Sequence, residues 1–280
     1  MTYAPLLMTS TDPATDPREE RVDAALVARG LARSRQTAVD AIRGGRVRSN
    51  GQVISKPALR VSIDDELEVQ PLQGEHYVSR GAHKLAGALE DLGIAVDGLS
   101  CVDVGSSTGG FTQVLLDRGA TQVTAIDVGT DQLAEALRSD PRVLSMESTH
   151  IGRDDLTGVP PAALVVADLS FISLRHVMAP MTSLVAAGGV LLPMVKPQFE
   201  VGRGKLGKGG VVDDPRLHRV AVAQTIEAAA AHGFYPQAIC RSRLPGPAGN
   251  LEFFVRLERS AATVHFDVLW AQCVDGPMKD

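Results

Sequence analysis

The stretch that most constrains the fold of this chain is residues 100–111, which read Ser-Cys-Val-Asp-Val-Gly-Ser-Ser-Thr-Gly-Gly-Phe. A short apolar run leads through Asp103 into a glycine-rich turn, and a helical pattern of apolar residues begins at Phe111. This order predicts a strand, a tight loop and a helix. Glycine lets the backbone approach a ligand closely, and the free N–H groups at a helix N-terminus bind polar or anionic ligands.

A second predicted strand, residues 122–128, also carries an acid near its end, Asp127. In an open parallel sheet an acid at this position typically binds ribose hydroxyls, so the pair predicts a nucleoside-bearing cofactor. The glycine spacing differs from Gly-x-Gly-x-x-Gly, which disfavours a dinucleotide and favours S-adenosylmethionine; a turn that binds no ligand is the alternative. The predicted cofactor contacts here are Asp103, Gly105, Ser106, Ser107, Thr108, Gly109, Gly110, Phe111, Asp127 and Val128.

Length and composition narrow the class of protein. The chain of 280 residues is long enough for one large and one small domain. It has no apolar run that could span a bilayer and no secretory signal. Its three cysteines, Cys101, Cys240 and Cys273, show no metal-ligand spacing and no even-numbered disulfide pattern. We therefore expect a cytoplasmic protein that uses neither a metal nor a membrane.

Charge is distributed unevenly along the chain. Residues 18–60 carry ten basic and four acidic side chains, a net charge of +6, whereas the whole chain carries −5. Two short helices are predicted at residues 21–29 and 34–42, with Ser34 as an N-cap. An Asn50-Gly51 turn then predicts a hairpin. Basic helices beside a hairpin suit structured RNA, where phosphate contacts dominate; a solvated basic face is the alternative.

This segment resembles the RNA-binding module first seen in ribosomal small-subunit protein four. The matching motifs are Arg21-Val-Asp-x-x-Leu, Gly30-Leu-Ala-Arg-Ser-Arg, Ile42-x-x-Gly-x-Val and Val-x-x-Asn50-Gly51. The resemblance implies that the second helix and the hairpin grip RNA through Arg33, Arg35, Arg43, Arg46 and Arg48. The module occurs on several enzymes, so it indicates the ligand class and not the reaction.

The rest of the chain alternates strand and helix. Strands are predicted at residues 99–105, 122–128, 142–147, 163–169, 189–195, 237–242 and 250–257. This pattern predicts an α/β fold, a doubly wound seven-stranded Rossmann-like sheet with a small N-terminal α+β domain. The predicted divisions are a disordered leader (1–17), the RNA-binding module (18–72), a linker (73–78), the catalytic domain (79–259) and a C-terminal tail without assigned function (260–280). In the helix predicted at 215–231, Val220, Ala223, Ile226 and Ala230 are expected to face the core.

Four charged residues stand where a doubly wound sheet places its site. Lys84 lies on the helix before the first strand, Asp168 and Lys196 close the fourth and fifth strands, and Glu252 begins the last. Structural salt bridges are one interpretation. The other is methyl transfer to a ribose 2′-hydroxyl, in which Lys196 takes the proton and Lys84 positions the oxygen. Asp168 and Glu252 would orient the two amines.

These four residues resemble the Lys-Asp-Lys-Glu tetrad of FtsJ-like RNA 2′-O-methyltransferases. Four longer strings are similar to the TlyA family: Ser79-Arg-Gly-Ala-His-Lys-Leu, Asp103-Val-Gly-Ser-Ser-Thr-Gly-Gly-Phe-Thr, Ala167-Asp-Leu-Ser-Phe-Ile-Ser and Val195-Lys-Pro-Gln-Phe-Glu. The resemblance implies methylation of cytidine ribose in the RNA of ribosomal subunits, and it adds Glu147 and Asp168 to the cofactor contacts. The chain departs from the family pattern at His150, where an Asn is expected, which affects the adenine contacts more than the chemistry.

Further RNA contacts are predicted at Arg80 and in a glycine-rich basic loop, at Arg203, Lys205 and Lys208. The loop is placed to close on phosphate, and a plain connection is the alternative. Two other functions stay open: a non-catalytic ribosome-assembly factor, and a haemolysin-like membrane-active protein suggested by names within the family. Asp168 is not followed by two prolines, which argues against a base-amino methyltransferase. The oligomeric state is not defined by the sequence, and a monomer is the starting hypothesis.

Overall fold

The computed structural model describes residues 18–32, 34–70, 77–260 and 264–275. The predicted leader, residues 73–76 of the predicted linker and Arg33 lie outside the described residues. The chain forms two compact units, Met1–His76 and Tyr77–Asp280, and each unit has a core of its own.

The first unit is a small α+β domain. Its helices are α1 (Val22–Ala28) and α2 (Arg35–Arg43), and its strands are β1 (Glu19–Arg21), β2 (Val47–Ser49), β3 (Gln52–Ile54), β4 (Arg60–Ser62) and β5 (Leu67–Val69). β1 pairs with β4, and the other three strands form an antiparallel sheet in the order β3-β2-β5. Both predicted helices and the predicted hairpin are confirmed, with helix ends shifted by one residue.

Local chemistry explains where these elements begin and turn. The Ser34 hydroxyl accepts a hydrogen bond from the Thr37 backbone N–H at 3.2 Å, so Ser34 is the N-cap of α2. Asn50 and Gly51 have φ values of 49° and 81°, which the two-residue turn of a tight hairpin requires at both positions. One apolar side of each element is buried against the others, with Leu26 and Ile42 fully enclosed.

The second unit is built on a seven-stranded sheet. Its strands are β6 (Ser100–Val104), β7 (Gln122–Ile126), β8 (Val143–Met146), β9 (Ala162–Ala167), β10 (Val185–Val195), β11 (Tyr235–Arg241) and β12 (Phe253–Glu258). Their order is β11-β12-β10-β9-β6-β7-β8. β12 is antiparallel to both neighbours, and the remaining pairs are parallel. The seven predicted strands and the doubly wound α/β class are therefore confirmed.

Helices cover both faces of this sheet. They are α3 (Gly81–Asp91), α4 (Gly110–Asp117), α5 (Glu135–Arg138), α6 (Met178–Ser183), α7 (Pro197–Glu200), α8 (Pro215–Ala230) and α9 (Phe266–Asp275). Successive side chains of a strand point to opposite faces. In β10, Leu191 and Val195 join the core beneath α6, α8 and α9, whereas Leu192 and Met194 join the core beneath α3, α4 and α5. Burial on both sides explains the nearly continuous apolar sequence of this strand.

The predicted inward face of α8 is only partly right: Ile226 packs against the core, whereas Val220, Ala223 and Ala230 are not among its core residues. The buried residues of α8 are His218, Ala221, Val222, Thr225 and Ala229. Two of them are polar and escape a search for apolar residues, yet both are hydrogen-bonded. One ring nitrogen of His218 lies 2.7 Å from the Val212 carbonyl, and the Thr225 hydroxyl donates to the Ala221 carbonyl at 3.0 Å.

The predicted C-terminal tail contains helix α9. Leu269 is buried in the core of the second unit, and the Trp270 ring lies 5.3 Å from the Phe253 ring between centroids. Val268 is 48% exposed and so lies on the solvent side of this helix. Across the part of the chain that the structure describes, no helix has both the length and the apolar character needed to span a membrane.

Candidate active site

The glycine loop lies between β6 and α4, at the carboxyl ends of the parallel strands. Gly105 and Gly109 adopt φ values of 85° and 96°, a region that favours glycine. A Cβ atom on Gly105 would lie 2.5 Å from the Asp168 carbonyl oxygen. Glycine at this position therefore lets the loop approach the end of β9 closely.

A cavity of about 620 Å³ opens beside this loop, and we call it the larger cavity. Its lining includes Gly105, Ser107, Asp127, Val128, Gln132, Thr149, His150, Arg153, Asp168 and Phe171. Asp127 follows β7, and its carboxylate accepts hydrogen bonds from the Ser107 N–H at 2.8 Å and the Gly129 N–H at 2.7 Å. Two backbone donors thus fix the orientation of an acid that borders the cavity.

A second cavity of about 310 Å³ adjoins the first, and we call it the smaller cavity. The two share Gly105, Ser107, Asp168 and Ser170. The other lining residues of the smaller cavity are Ser79, Arg80, Gly81, Lys84, Ser106, Thr108, Gly110, Phe111, Lys196, Pro245, Pro247 and Glu252. All four residues predicted to carry the chemistry therefore line one cavity, although they come from distant parts of the chain.

These four residues form two ion pairs. Lys84 Nζ lies 2.6 Å from Glu252 Oε2, and both side chains are buried. Lys196 Nζ lies 2.6 Å from Asp168 Oδ1, but that contact lacks the alignment of a hydrogen bond. The aligned hydrogen bond of Lys196 goes instead to the Ser170 hydroxyl at 2.9 Å. The Lys196 ammonium therefore has one carboxylate and one hydroxyl as neighbours.

Three of the predicted cofactor contacts line neither cavity: Asp103, Gly109 and Glu147. Asp103 is fully buried below the loop, where its Oδ2 accepts a hydrogen bond from the Thr112 hydroxyl at 2.7 Å. Its Oδ1 has no hydrogen-bond partner among the described residues. Burial without a neighbouring cation raises the pKa of Asp103 to about 7.

Glu147 holds the chain that borders the larger cavity. Its Oε1 accepts hydrogen bonds from the backbone N–H groups of Gln132 at 2.6 Å and Leu133 at 3.1 Å. Its other oxygen lies 3.1 Å from Arg138 Nη2. Glu147 therefore orients the segment that presents Gln132 to the cavity.

The predicted RNA contacts in the second unit lie in two places. Arg80 lines the smaller cavity. Arg203, Lys205 and Lys208 are exposed on two short 3-10 helices, Arg203–Lys205 and Lys208–Gly210. The end of this loop is anchored by the buried Asn250, whose side chain accepts from the Val212 N–H at 2.9 Å and donates to the Gly210 carbonyl at 3.2 Å.

In the first unit, several of the predicted arginines make contacts within the domain. Arg35 Nε lies 3.3 Å from Asp23 Oδ2, and Arg48 donates to the Gly51 carbonyl at 2.9 Å. Arg46 donates to the Gln70 carbonyl at 3.3 Å, and Arg43 is exposed. The hydrogen bonds of Asp23 with Arg21, more than those with Arg35, lower its pKa to about 2.

Several cavity residues were not assigned roles from the sequence, among them Ser170, Phe171 and His150. Ser170 is the hydrogen-bond partner of Lys196, and Phe171 is 91% exposed with a φ of 65°. His150 Nδ1 accepts from the Gly152 N–H at 3.0 Å, and this residue lines the larger cavity. Ser170 and Phe171 follow Asp168 by two and three residues in the sequence, and this proximity is the signal that could have identified them.

Fold and site together define a class of protein. A Rossmann-like sheet with this strand order, a glycine loop after β6 and an acid after β7 is the arrangement of a nucleoside-cofactor methyltransferase domain. The family model of the FtsJ-like methyltransferases matches residues 77–259, and the model of the S4 domain matches residues 20–67. The chain belongs to the FtsJ-like methyltransferase family.

Individual relatives are similar over most of the chain. The 16S/23S rRNA (cytidine-2′-O)-methyltransferase TlyA of Mycobacterium tuberculosis is 50% identical, over 86% of this chain and 90% of that protein. Hemolysin A of Brachyspira hyodysenteriae is 35% identical, over 83% of this chain and 97% of that protein. A solved Streptococcus thermophilus structure that carries a provisional hemolysin name is 33% identical, with a TM-score of 0.66 over 91% of this chain and 95% of the other.

Proposed function

We propose that this chain transfers the methyl group of S-adenosylmethionine to ribose 2′-hydroxyls of ribosomal RNA, with cytidine as the target nucleoside. One observation carries the proposal: two lysine–carboxylate pairs line a small cavity that shares its glycine-loop wall with a larger one. Family membership supports the reaction class. The printed name of the Mycobacterium tuberculosis relative supports ribosomal RNA and cytidine as the substrate.

The residues of the larger cavity fit S-adenosylmethionine. Its volume of about 620 Å³ falls within the roughly 300–1,000 Å³ typical of ligand pockets. Asp127, whose carboxylate is already oriented by two N–H groups, would accept from the ribose hydroxyls. Val128 offers an apolar surface to the adenine, and Gly105 borders both cavities. Asp103, Gly109 and Glu147 would act by shaping the loops.

The charged residues of the smaller cavity support removal of a proton from the acceptor. The bound cofactor supplies an activated methyl group on a sulfonium. A protonated ribose hydroxyl is a poor nucleophile, so we assign Lys196 Nζ to accept its proton, with Asp168 and Ser170 holding that amine in place. Lys84, held by Glu252, would position the hydroxyl. Alignment of the oxygen with the methyl group supplies most of the rate enhancement.

The RNA contacts follow from charge and exposure. The S4 domain supports an RNA-binding role for residues 18–72, upstream of the catalytic domain at 79–259. We assign Arg80, Arg203, Lys205 and Lys208 to phosphate contacts. The exposed ring of Phe171 borders the larger cavity and offers a stacking surface to a base. Ribosomal RNA as substrate implies a cytoplasmic enzyme, and a monomer stays the starting hypothesis for its oligomeric state.

A methyl-transfer assay tests this function directly. The chain is incubated with each ribosomal subunit and methyl-labelled S-adenosylmethionine, and ribose methylation is mapped along the RNA. We expect label on the 2′-oxygen of one or a few cytidines, and no label with Lys196→Ala. Label on a base, or wild-type protein that binds the cofactor but transfers nothing to either subunit, would contradict the proposal.

A haemolysin-like activity is the second candidate, because one relative that the chain matches almost end to end is named Hemolysin A. A release assay with erythrocytes separates the two functions. Lysis by Lys196→Ala equal to that by wild type would establish a separate activity, whereas no lysis by either protein would remove this candidate.

A further inference from the structure

We infer that Glu200 is a positioning residue, which fixes the loop carrying Asp168 and Ser170 against the segment that begins at Lys196. This inference rests on the proposed function, because it concerns how the methyl-transfer cavity is held in shape. Glu200 is 3% exposed and belongs to the one-turn helix α7, which starts directly after Lys196.

The carboxylate of Glu200 binds the far end of the loop that follows β9. Its Oε2 accepts a hydrogen bond from the Ser173 hydroxyl at 2.5 Å, and its Oε1 accepts from the Leu174 N–H at 2.8 Å. Arg175 Nε lies 3.5 Å from Oε2, and Arg175 Nη2 donates to the Glu200 carbonyl at 3.1 Å. Glu200 therefore ties down the first residues of the 3-10 helix Leu174–His176.

The loop after β9 and the segment that begins at Lys196 also contact each other at two other places. Lys196 contacts Asp168 and Ser170, and the Phe199 ring lies 5.3 Å from the Phe171 ring between centroids. Phe171 holds a φ of 65°, a conformation that persists only where the surroundings impose it. The Phe171 side chain is 91% exposed, so its contact with Phe199 contributes little burial to hold this conformation. The buried Glu200 contacts at Ser173 and Leu174 restrain the same loop a few residues further on.

Lys196 and Glu200 therefore have different roles within this short segment. Lys196 contacts the reacting groups, and Glu200, four residues later, sets the distance between the two loops that bear Lys196 and Asp168. Loss of the Glu200 carboxylate should let the loop after β9 shift relative to α7. Glycine-loop contacts with Asp127 lie elsewhere and should persist, so cofactor binding should be preserved while turnover falls.

The test uses Glu200→Gln in the full chain, with Asp214→Ala as a control. Gln keeps the size of the side chain but gives only one acceptor oxygen where Ser173 and Leu174 both donate. Asp214 caps α8, away from both cavities, and its loss lowers stability without touching the site. We expect Glu200→Gln to lower kcat by about tenfold to a hundredfold, the cost of a small misalignment. KM for RNA should change by less than kcat does, and Kd for S-adenosylhomocysteine should stay at the wild-type value.

Ser173→Ala provides a second route if the Gln variant does not fold. This variant removes one hydrogen-bond donor to Glu200, so kcat should also fall, but by less than in Glu200→Gln. The double variant should fall no further than Glu200→Gln alone, since both changes break one contact. Unchanged kcat in a folded variant, or parallel loss of kcat, RNA KM and cofactor affinity, would overturn the inference. If the wild-type protein itself transfers no methyl group, the result contradicts the proposed function and not only the role of Glu200.

Discussion

One buried aspartate in each unit of the molecule shows the opposite electrostatic environment to the other. In the first unit, Asp23 is buried beside Arg21 and Arg35, which lower its pKa to about 2. In the second, Asp103 is fully buried beside Thr112, and this burial raises its pKa to about 7. The first unit thus uses part of its basic charge to stabilise its own fold. The second places an uncompensated carboxylate directly below the glycine loop.

The cations differ in the same way. Lys84 and Lys196 are buried in a cavity, and each faces a carboxylate. The described arginines of the first unit are exposed or half-buried, and they contact backbone carbonyls as well as the carboxylates of Glu20 and Asp23. A buried, paired cation is suited to chemistry at a defined point, whereas an exposed one adds to the attraction of a polyanion. Removal of charge should therefore change turnover in one unit and salt-dependent affinity in the other.

The largest effect is expected for Lys196→Ala. Loss of a general base typically lowers the rate by about 10²- to 10⁴-fold. Cofactor affinity should stay close to wild type, because Lys196 lines the smaller cavity and not the larger one. Single-turnover methyl transfer and calorimetry with S-adenosylmethionine measure the two quantities separately.

Arg216→Ala is the control for that loss of charge. Arg216 has a side chain that is 90% exposed and paired with Asp214 on α8. Turnover should be the same as in wild type. Wild-type turnover in Lys196→Ala would exclude Lys196 as the base and leave its ion pair with Asp168 as a structural contact.

Most of the fold could be predicted because strands that are buried on both faces of a sheet have nearly continuous apolar sequences. The near-continuous apolar run of β10, Asp103 within β6 and Asp127 after β7 identified the sheet and its functional edge. The buried face of α8 could not be identified in this way. His218 and Thr225 are buried because specific carbonyls accept from or contact them, and such partners become known only when the chain is folded.

The grouping of the four charged residues in one cavity could be predicted, but the details of their contacts could not. Lys84, Asp168, Lys196 and Glu252 stand at element ends, where topology brings them together. The hydrogen bond of Lys196 to Ser170 and the exposure of Phe171 depend on the loop conformation after β9. Asp103 and Glu147 were expected to touch the cofactor, yet they contact Thr112 and the backbone at residues 132 and 133 instead. Sequence pattern alone does not separate a residue that lines a cavity from one that supports it.

The next largest effect concerns stability and pH. The pKa of Asp103 is about 7 in the folded chain and near 4 when unfolded, so the folded state holds the proton more tightly. The contribution of Asp103 to the free energy of unfolding is therefore fully present below about pH 4. It is lost as the pH rises to about 7, and the total loss is at most about 4 kcal/mol. Asp103→Asn should remove this part of the pH dependence, as measured by urea unfolding at intervals from pH 4 to 8.

Asp23→Asn is the matched change in the first unit, and its sign is opposite. Asp23 has a lowered pKa of about 2, so its contribution is present above about pH 4 and is lost as the pH falls toward 2. Asp23→Asn should therefore lower stability at neutral pH. Parallel pH profiles for wild type and Asp103→Asn would mean that Asp103 is ionised in the fold and that the contrast between the two units is wrong.

A smaller effect is expected for Phe171→Ala. Stacking on one base contributes about 1–3 kcal/mol in proteins that bind single strands. The substitution should raise KM for RNA without changing cofactor affinity, measured by methyl transfer over a range of RNA concentrations. Phe171→Trp should preserve RNA affinity, since an indole also stacks. If Phe171→Ala leaves KM unchanged, the exposed ring has no role in binding the substrate.

The smallest effect is expected for the double variant Arg43→Gln and Arg48→Gln in the first unit. Each lost phosphate contact should reduce the slope of log affinity against log salt by about one. The change is therefore clear at low salt and small at high salt, and filter binding of ribosomal RNA across salt concentrations measures it. The control is Arg142→Gln, which removes one exposed cation of the second unit that pairs with Asp140. A reduced affinity with an unchanged slope would show that Arg43 and Arg48 shape the module and do not bind phosphate, which would bring them closer in role to Arg35 beside Asp23.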